Sequence, residues 1–154
     1  MSAEPSIPAP PKPTSSTSLV DLYTAANGNT FMNPSTEDAI ALWPTYFSPS
    51  LTVIQNGKSM SSDDFLQQMK DAKAQWPIID VRYRILNECP ETREVASAEY
   101  VWIPNEQMWF DTVILMKFGD VGTEDENRVV QFVEIMKPGP KDRDPASTEA
   151  QSII

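Results

Sequence analysis

Val95-Ala-Ser-Ala-Glu-Tyr-Val-Trp-Ile103, Met108-Trp-Phe-Asp-Thr-Val-Ile-Leu-Met116 and Val129-Val-Gln-Phe-Val-Glu-Ile-Met136 are the runs on which the fold of this chain turns. Each is rich in β-branched and aromatic residues and is bounded by turn-forming segments: Cys89-Pro-Glu-Thr92, Pro104-Asn-Glu106 and the polar stretch 119–128. Each therefore reads as a strand. Each also carries one carboxylate in its middle, Glu99, Asp111 or Glu134. A charge among apolar neighbours must reach water, find a partner, or shift its proton affinity. Three of them on consecutive strands predict a polar patch within an otherwise apolar sheet.

Upstream lies a fourth strand. Ile78 to Asn87 alternates, with Val81, Tyr83 and Ile85 on one side and Asp80, Arg82 and Arg84 on the other. Before it the period becomes helical. Ser61-Ser-Asp-Asp64 opens a helix whose Phe65, Met69, Ala72 and Trp76 form one apolar stripe, and Pro77 ends it. Leu51-Thr-Val-Ile-Gln55 is a short strand closed by the turn pair Asn56-Gly57. Ser35-Thr-Glu-Asp38 has the form of a capping box and opens a further helix carrying Ile40, Trp43 and Phe47, with Pro44 expected to kink or end it. Ser18 caps a first helix through about Asn27, with Gly28 as its stop. Helices at the front and an antiparallel meander at the back predict an α+β domain, with about three helices on one face of a curved sheet.

The domain is expected over residues 18–137, between a disordered Pro/Ser/Thr-rich tail at 1–17 and a flexible tail at 138–154. At 154 residues the chain fits one domain with a real core. Its net charge of -10 argues against nucleic acid or an anionic membrane as partner. The N-terminal segment lacks the apolar core of a signal peptide, and no run approaches the roughly 20 apolar residues of a membrane span. A soluble, cytoplasmic protein is expected.

Histidine is absent and Cys89 is the single cysteine. That removes His-dependent triads, nearly every zinc site and any internal disulfide. Acid–base chemistry must come from Asp, Glu, Tyr, Lys or Cys, and no metal or cofactor is expected. Cys89, next to Pro90 in a turn, has no histidine to activate it.

Whether the acids share a face depends on register. If opposing residues of the Glu99 and Asp111 strands sum to an even number, both carboxylates lie on one face; an odd sum separates them. The loop from Pro104 to Gln107 permits either.

Several strings resemble the SnoaL-like, nuclear-transport-factor-like superfamily, and in particular its scytalone dehydratase branch. They are Phe47-Ser-Pro-Ser-Leu-Thr-Val53, Ser61-Ser-Asp-Asp-Phe65, Glu94-Val95, Ile103-Pro104 and Met136-Lys-Pro138, within about residues 19–138. The resemblance implies a cone-shaped curved antiparallel sheet, helices on its concave face, a deep apolar pocket between them, and often a homodimer. Its members include dehydratases, isomerases, epoxide hydrolases, polyketide cyclases and non-catalytic binding modules. The slots that hold the dehydratase histidines fall on Asp80 and Asn105, and its first-strand tyrosine slot falls near Gln55. Its early Tyr-Asp pair has no counterpart around Ala26-Asn-Gly-Asn29. Dehydration through a water held by His and Tyr is therefore not what the resemblance implies here.

The same positional reading puts Glu99, Asp111 and Glu134 on the pocket side, with Asp80 completing a belt. Crowded carboxylates cannot all ionise cheaply, so one becomes an acid near neutral pH while another stays a base. Glu99 is the candidate acid and Glu134 or Asp111 the candidate base. Arg82 or Asn105 is the candidate carbonyl partner, and Tyr46, Phe47, Trp102 and Met69 the candidate substrate contacts. The expected function is a cofactor-free isomerase or cyclase. Its substrate would be a small hydrophobic, oxygenated natural-product intermediate of polyketide, meroterpenoid or alkaloid type. Two rivals remain on the same fold. One is a binding or dimeric interaction module whose acids pair with Arg82, Arg84 or Arg128. The other is an epoxide hydrolase with Arg82 or Arg84 between Asp80 and Asp111.

Overall fold

A serine caps each of the three helices. Ser18, Ser35 and Ser61 accept hydrogen bonds from the backbone N–H groups of Asp21, Asp38 and Asp64, each at 3.1 Å. The aspartate donating in each case lies in the first turn, where its charge opposes the positive end of the helix dipole. The computed structural model describes residues 12–144; the tail segments 1–11 and 145–154 lie outside the described residues.

The helices are α1 (Leu19–Asn29), α2 (Thr36–Tyr46) and α3 (Ser62–Gln75), and the strands are β1 (Phe47–Gln55), β2 (Lys58–Met60), β3 (Asp80–Cys89), β4 (Glu94–Ile103), β5 (Met108–Phe118) and β6 (Val129–Pro138). Two boundaries differ from expectation. Helix α1 passes through Gly28 and ends at Thr30, whose hydroxyl donates to the Ala26 carbonyl. Pro44 lies inside α2, close enough to its end that the helix continues only to Tyr46. Phe47 then opens β1, and Ile40 is exposed. Asn56 and Gly57 both have positive φ, 49° and 80°, the backbone of a tight hairpin turn that adds β2 to β1.

The strand order is β2-β1-β6-β5-β4-β3. The pair β1·β6 runs parallel, so the sheet is mixed where a wholly antiparallel one was expected. The cause is the crossover: α3 and the whole β3–β5 meander separate β1 from β6 in sequence, long enough to return the chain in the same direction.

The sheet has an inner face toward the helices and an outer face. Glu99 pairs with Thr112, Tyr100 with Asp111, and Ile114 with Glu134. Alternation then sends Glu99, Val101, Phe110, Thr112, Phe132 and Glu134 inward, and Tyr100, Trp102, Trp109, Asp111, Val113 and Ile135 outward. The core lies under the helices, where Leu22, Tyr23 and Ala26 of α1 meet Val95, Phe118 and Phe132 of the sheet. Phe31 stands edge-on or tilted against Trp43, Phe47, Phe65 and Phe132.

After β6 the chain crosses the outer face. Gly139 donates its N–H to the Trp109 carbonyl at 2.8 Å, and the Trp109 indole donates to the Arg143 carbonyl at 3.1 Å. The Arg143 guanidinium grips both oxygens of Asp111, at 2.6 and 3.1 Å, and lies 5.2 and 5.1 Å from the ring centres of Tyr100 and Trp109.

Candidate active site

A cavity of about 380 Å3 opens between the inner face of the sheet and the helices. Its wall on the helix side comes from the stripe of α3, Phe65, Met69, Ala72 and Trp76, while Phe31 and Asn27 close it toward α1. Its floor is β4, β5 and β6. Exposed Gln68, Asp71 and Gln75 stand at its rim. The lining is predominantly apolar with a few polar groups, the usual make-up of a small-molecule site.

Besides Asp71 at the rim, two of those polar groups are carboxyls, Glu99 and Glu134. Glu99 is only 6% exposed. Its Oε1 accepts from the Tyr23 hydroxyl at 2.8 Å and from Asn27 Nδ2 at 2.5 Å. Both donors come from α1, where Leu19, Leu22, Tyr23, Ala26 and Asn27 form the buried stripe. The Tyr23 hydroxyl also pairs with that of Ser97, so the phenol is fixed from two sides. With Oε1 so engaged, Oε2 has no hydrogen bond among the described residues and is the oxygen left for the cavity.

Burial pushes the Glu99 carboxyl up to about 7; the donors Tyr23 and Asn27 pull the other way, and the nearby Glu134 charge adds to the rise. At neutral pH this carboxyl is present both protonated and ionised. Burial likewise raises Glu134, against a 2.6 Å hydrogen bond from Gln55 Nε2 that favours its ionised form. Gln55 is in turn held by Gln68 of α3 through reciprocal amide bonds of 3.0 and 2.7 Å. Burial also keeps the Tyr23 phenol protonated far above its ordinary range, so it acts as a donor and not as a base.

Lys73 lines the same cavity, but its ammonium donates to the Phe31 and Asn33 carbonyls at 3.1 and 2.5 Å. Burial lowers its proton affinity. Among the described residues no cluster of three or more His, Cys, Asp or Glu is placed to hold a metal ion, and no helix is long and apolar enough to cross a membrane.

No protein-family model and no curated protein matches the sequence. Solved structures do match in shape. AusH from Aspergillus nidulans is 15% identical, with a TM-score of 0.57 over 86% of this chain and 88% of its own. A SnoaL-like polyketide cyclase from Agrobacterium tumefaciens is 11% identical, with a TM-score of 0.54 over 79% of this chain and 92% of its own. An NTF-2-like protein of unknown function from Pseudomonas aeruginosa is 10% identical, with a TM-score of 0.52 over 77% and 94%. The chain has the SnoaL-like, NTF2-like fold. At these identities the likeness is one of architecture: a curved sheet with helices over its inner face.

Within that SnoaL-like fold the residues singled out from sequence divide between the two sides of the sheet. Glu99, Glu134 and Met69 line the cavity. Asp111 does not; the β4–β5 register sums to an odd number, so Asp111 stands outward, bound to Arg143. Asp80 and Arg82 are also outward, paired with each other at 3.1 Å on β3, and Trp102 faces the same way against Trp109. The four-acid belt is therefore two acids inside and two outside. The set expected of an epoxide hydrolase, Arg82 or Arg84 between Asp80 and Asp111, lies on the side away from the cavity. Asn105 is exposed in a 3-10 turn at Pro104–Glu106, beyond the cavity lining. Tyr46 and Phe47 are core residues: the Tyr46 hydroxyl accepts from Asn29 Nδ2 at 3.1 Å, and the Phe47 ring stacks on Trp43 at 4.0 Å.

Asn27 and Gln55 carry the polar contacts to the two carboxyls that sequence reasoning passed over, and Thr112 stands across the ladder from Glu99. Asn27 had a legible signal. It continues the apolar stripe of α1 at helical spacing, and a polar residue on such a stripe needs a buried partner. Thr112 had none, because its face depends on the same register as Asp111.

Proposed function

We propose that the protein is a small-molecule isomerase or cyclase that works by proton transfer between Glu99, Glu134 and a substrate held in the cavity. The observation that carries this reading is a buried carboxyl near neutral proton affinity, with one oxygen free, facing the same apolar cavity as a second carboxyl. Two carboxyls whose surroundings set them apart are the equipment of paired acid and base catalysis.

In the reading, Glu134 acts as base while ionised and Glu99 as acid while protonated. Glu134 takes a proton from carbon next to a substrate carbonyl; the C–H pair becomes the C=C bond of an enol, and Glu99 Oε2 gives its proton to the carbonyl oxygen. Return of a proton to a different carbon shifts the double bond, and attack of the enol on an internal electrophile closes a ring. Tyr23 and Asn27 steady the carboxylate that Glu99 becomes. None of these steps needs a cofactor. The partner required is a small hydrophobic, oxygenated molecule of the polyketide, meroterpenoid or alkaloid kind. The polyketide cyclase from Agrobacterium tumefaciens, similar in fold, agrees with this choice.

The test uses 2-tetralone in D2O. Wild-type protein is expected to speed deuterium entry at the carbon next to the carbonyl. Glu134→Gln is expected to abolish the acceleration, and Glu99→Gln to reduce it about 100-fold, the scale of one general acid. Acceleration by wild type that persists in both variants would reject the proposal.

A further inference from the structure

Glu134 is held at its backbone and at its side chain by the end of β1. Asn56, turned by a φ of 49°, donates its N–H to the Glu134 carbonyl at 2.9 Å and accepts the Met136 N–H on Oδ1 at 2.8 Å. Gln55, directly across the parallel β1·β6 ladder, donates Nε2 to the Glu134 carboxyl. Of the charged groups on the surrounding elements, Glu99 of β4 and Asp71 and Lys73 of α3 face the same cavity. Lys58 of β2 stands exposed opposite Gln55, and Asp111 and Lys117 of β5 point outward. Among the described residues no cation pairs with Glu134. What its carboxyl meets is therefore decided by how the Gln55 amide is turned.

An amide presents two N–H bonds at one end and a carbonyl at the other. An ionised carboxylate only accepts, so it is satisfied by the N–H end. A carbonyl turned toward it suits only the protonated acid. The Gln55 amide is fully engaged in the first orientation. Its Nε2 donates to Glu134 at 2.6 Å and to Gln68 Oε1 at 3.0 Å, and its Oε1 accepts from Gln68 Nε2 at 2.7 Å. Turning Gln55 over would break the bond to Glu134, and both bonds to Gln68 unless that amide turned with it. Gln68 is exposed, but its neighbours Phe65 and Met69 on α3 are buried and fix where its backbone stands. We propose that Gln68 is a positioning residue: from the cavity rim it fixes the Gln55 amide with the N–H end toward Glu134, and so keeps that carboxyl in its accepting, base-competent form. This rests on reading Glu134 as the base. The two carboxyls are then oriented from different helices, Glu99 by donors on α1 and Glu134 by a donor whose own orientation is set from α3.

The experiment compares wild type, Gln68→Met, Gln55→Met and the double variant. Methionine keeps the length of the side chain and its helix propensity while removing the amide. Two readouts are followed against pH: the 13C shift of the Glu134 carboxyl, assigned by its loss in Glu134→Gln, and deuterium entry into 2-tetralone. Gln68→Met is expected to move the Glu134 titration to higher pH, because a Gln55 amide free to turn over no longer favours the ionised carboxyl. The acid limb of the exchange profile should move with it, cutting the rate there about fivefold, the scale of one ordinary hydrogen bond. Gln55→Met should move both further. Adding Gln68→Met to Gln55→Met should then change neither, since Gln68 acts only through Gln55. A Glu134 titration unmoved or lowered in Gln68→Met would overturn the proposal. So would equal effects of Gln68→Met with and without Gln55, which would reduce Gln68 to a support of α3. A Glu134 titration that shifts as expected in a protein without deuterium exchange would leave the amide arrangement standing and remove the acid–base reading. Exchange that depends on Glu99 and Glu134 but ignores Gln68→Met would do the reverse.

Discussion

Glu99 and Asp111 are one ladder position apart and on opposite sides of the sheet. Glu99 pairs with Thr112, and Asp111 with Tyr100. The first acid is thus pressed under α1 among apolar groups, while the second is neutralised on the outer face by Arg143. Burial lifts the Glu99 carboxyl to about 7.

The titration of Glu99 is expected to move in opposite directions in two variants. Desolvation sets the main rise, which neither variant relieves. Asn27→Ala removes a hydrogen bond that favours the ionised form, so Glu99 then titrates above 7. Glu134→Gln removes a like charge, so Glu99 titrates lower. Carboxyl 13C shifts followed against pH read both, and a downward move in Asn27→Ala would contradict the assigned contact.

Stability should fall as pH rises through the weakly acid range. Below about 4.5 Glu99 is protonated folded and unfolded, and contributes no difference. Between 4.5 and about 7 the unfolded chain loses this proton while the folded protein keeps it, so ionisation favours unfolding. Glu134, raised in the same direction, adds to the loss. The Glu99 share is on the order of 3 kcal/mol, fully expressed above pH 7. Glu99→Gln, whose amide oxygen can still accept from Tyr23 and Asn27, should be more stable than wild type at pH 8 and should flatten the profile from pH 5 to 8. Urea unfolding at those two pH values measures it; an unchanged slope in the variant would place the titration elsewhere.

The outer acids should matter to stability and not to exchange. Asp111→Asn breaks the two-pronged contact with Arg143, whose side chain is 5% exposed, and leaves a buried guanidinium partly unpaired. A loss of about 2–4 kcal/mol is expected, with deuterium exchange on 2-tetralone within about twofold of wild type. Loss of exchange in well-folded Asp111→Asn would return Asp111 to the candidate site.

Much of the architecture was legible because it is written in periods. The stripe Phe65, Met69, Ala72, Trp76 predicts α3 and also its cavity wall. The serine caps fixed all three helix starts. What periodicity does not carry is parity between strands. The turn after β4 holds Gln107 in the left-handed region, φ 51°, with both its backbone N–H and its side-chain amide on the Pro104 carbonyl. That local geometry decides which of Asp111 and Thr112 looks inward, and nothing in Pro104-Asn-Glu-Gln107 announces it. The parallel β1·β6 pairing was hidden for a related reason: it joins residues nearly 80 positions apart, such as Gln55 and Glu134. Tyr23 and Asn27 reach Glu99 across a comparable gap.

Gly139→Ala tests the crossing of the outer face. A Cβ placed on Gly139 would sit 2.8 Å from the Trp109 Cβ and 2.9 Å from Asp111 Oδ1, closer than real contacts allow. That oxygen is the one 2.6 Å from Arg143 Nη1, so relief of the clash must disturb either the ion pair or the Gly139 hydrogen bond to Trp109. A loss of about 1–3 kcal/mol is expected, with a shift in tryptophan fluorescence as Trp109 becomes wetter. The alanine and Arg143→Ala act on one contact, so the double variant should lose less than the two single losses added. Simple additivity, or a Gly139→Ala protein as stable as wild type, would mean that the segment after β6 does not rest on Trp109 and Asp111 in solution.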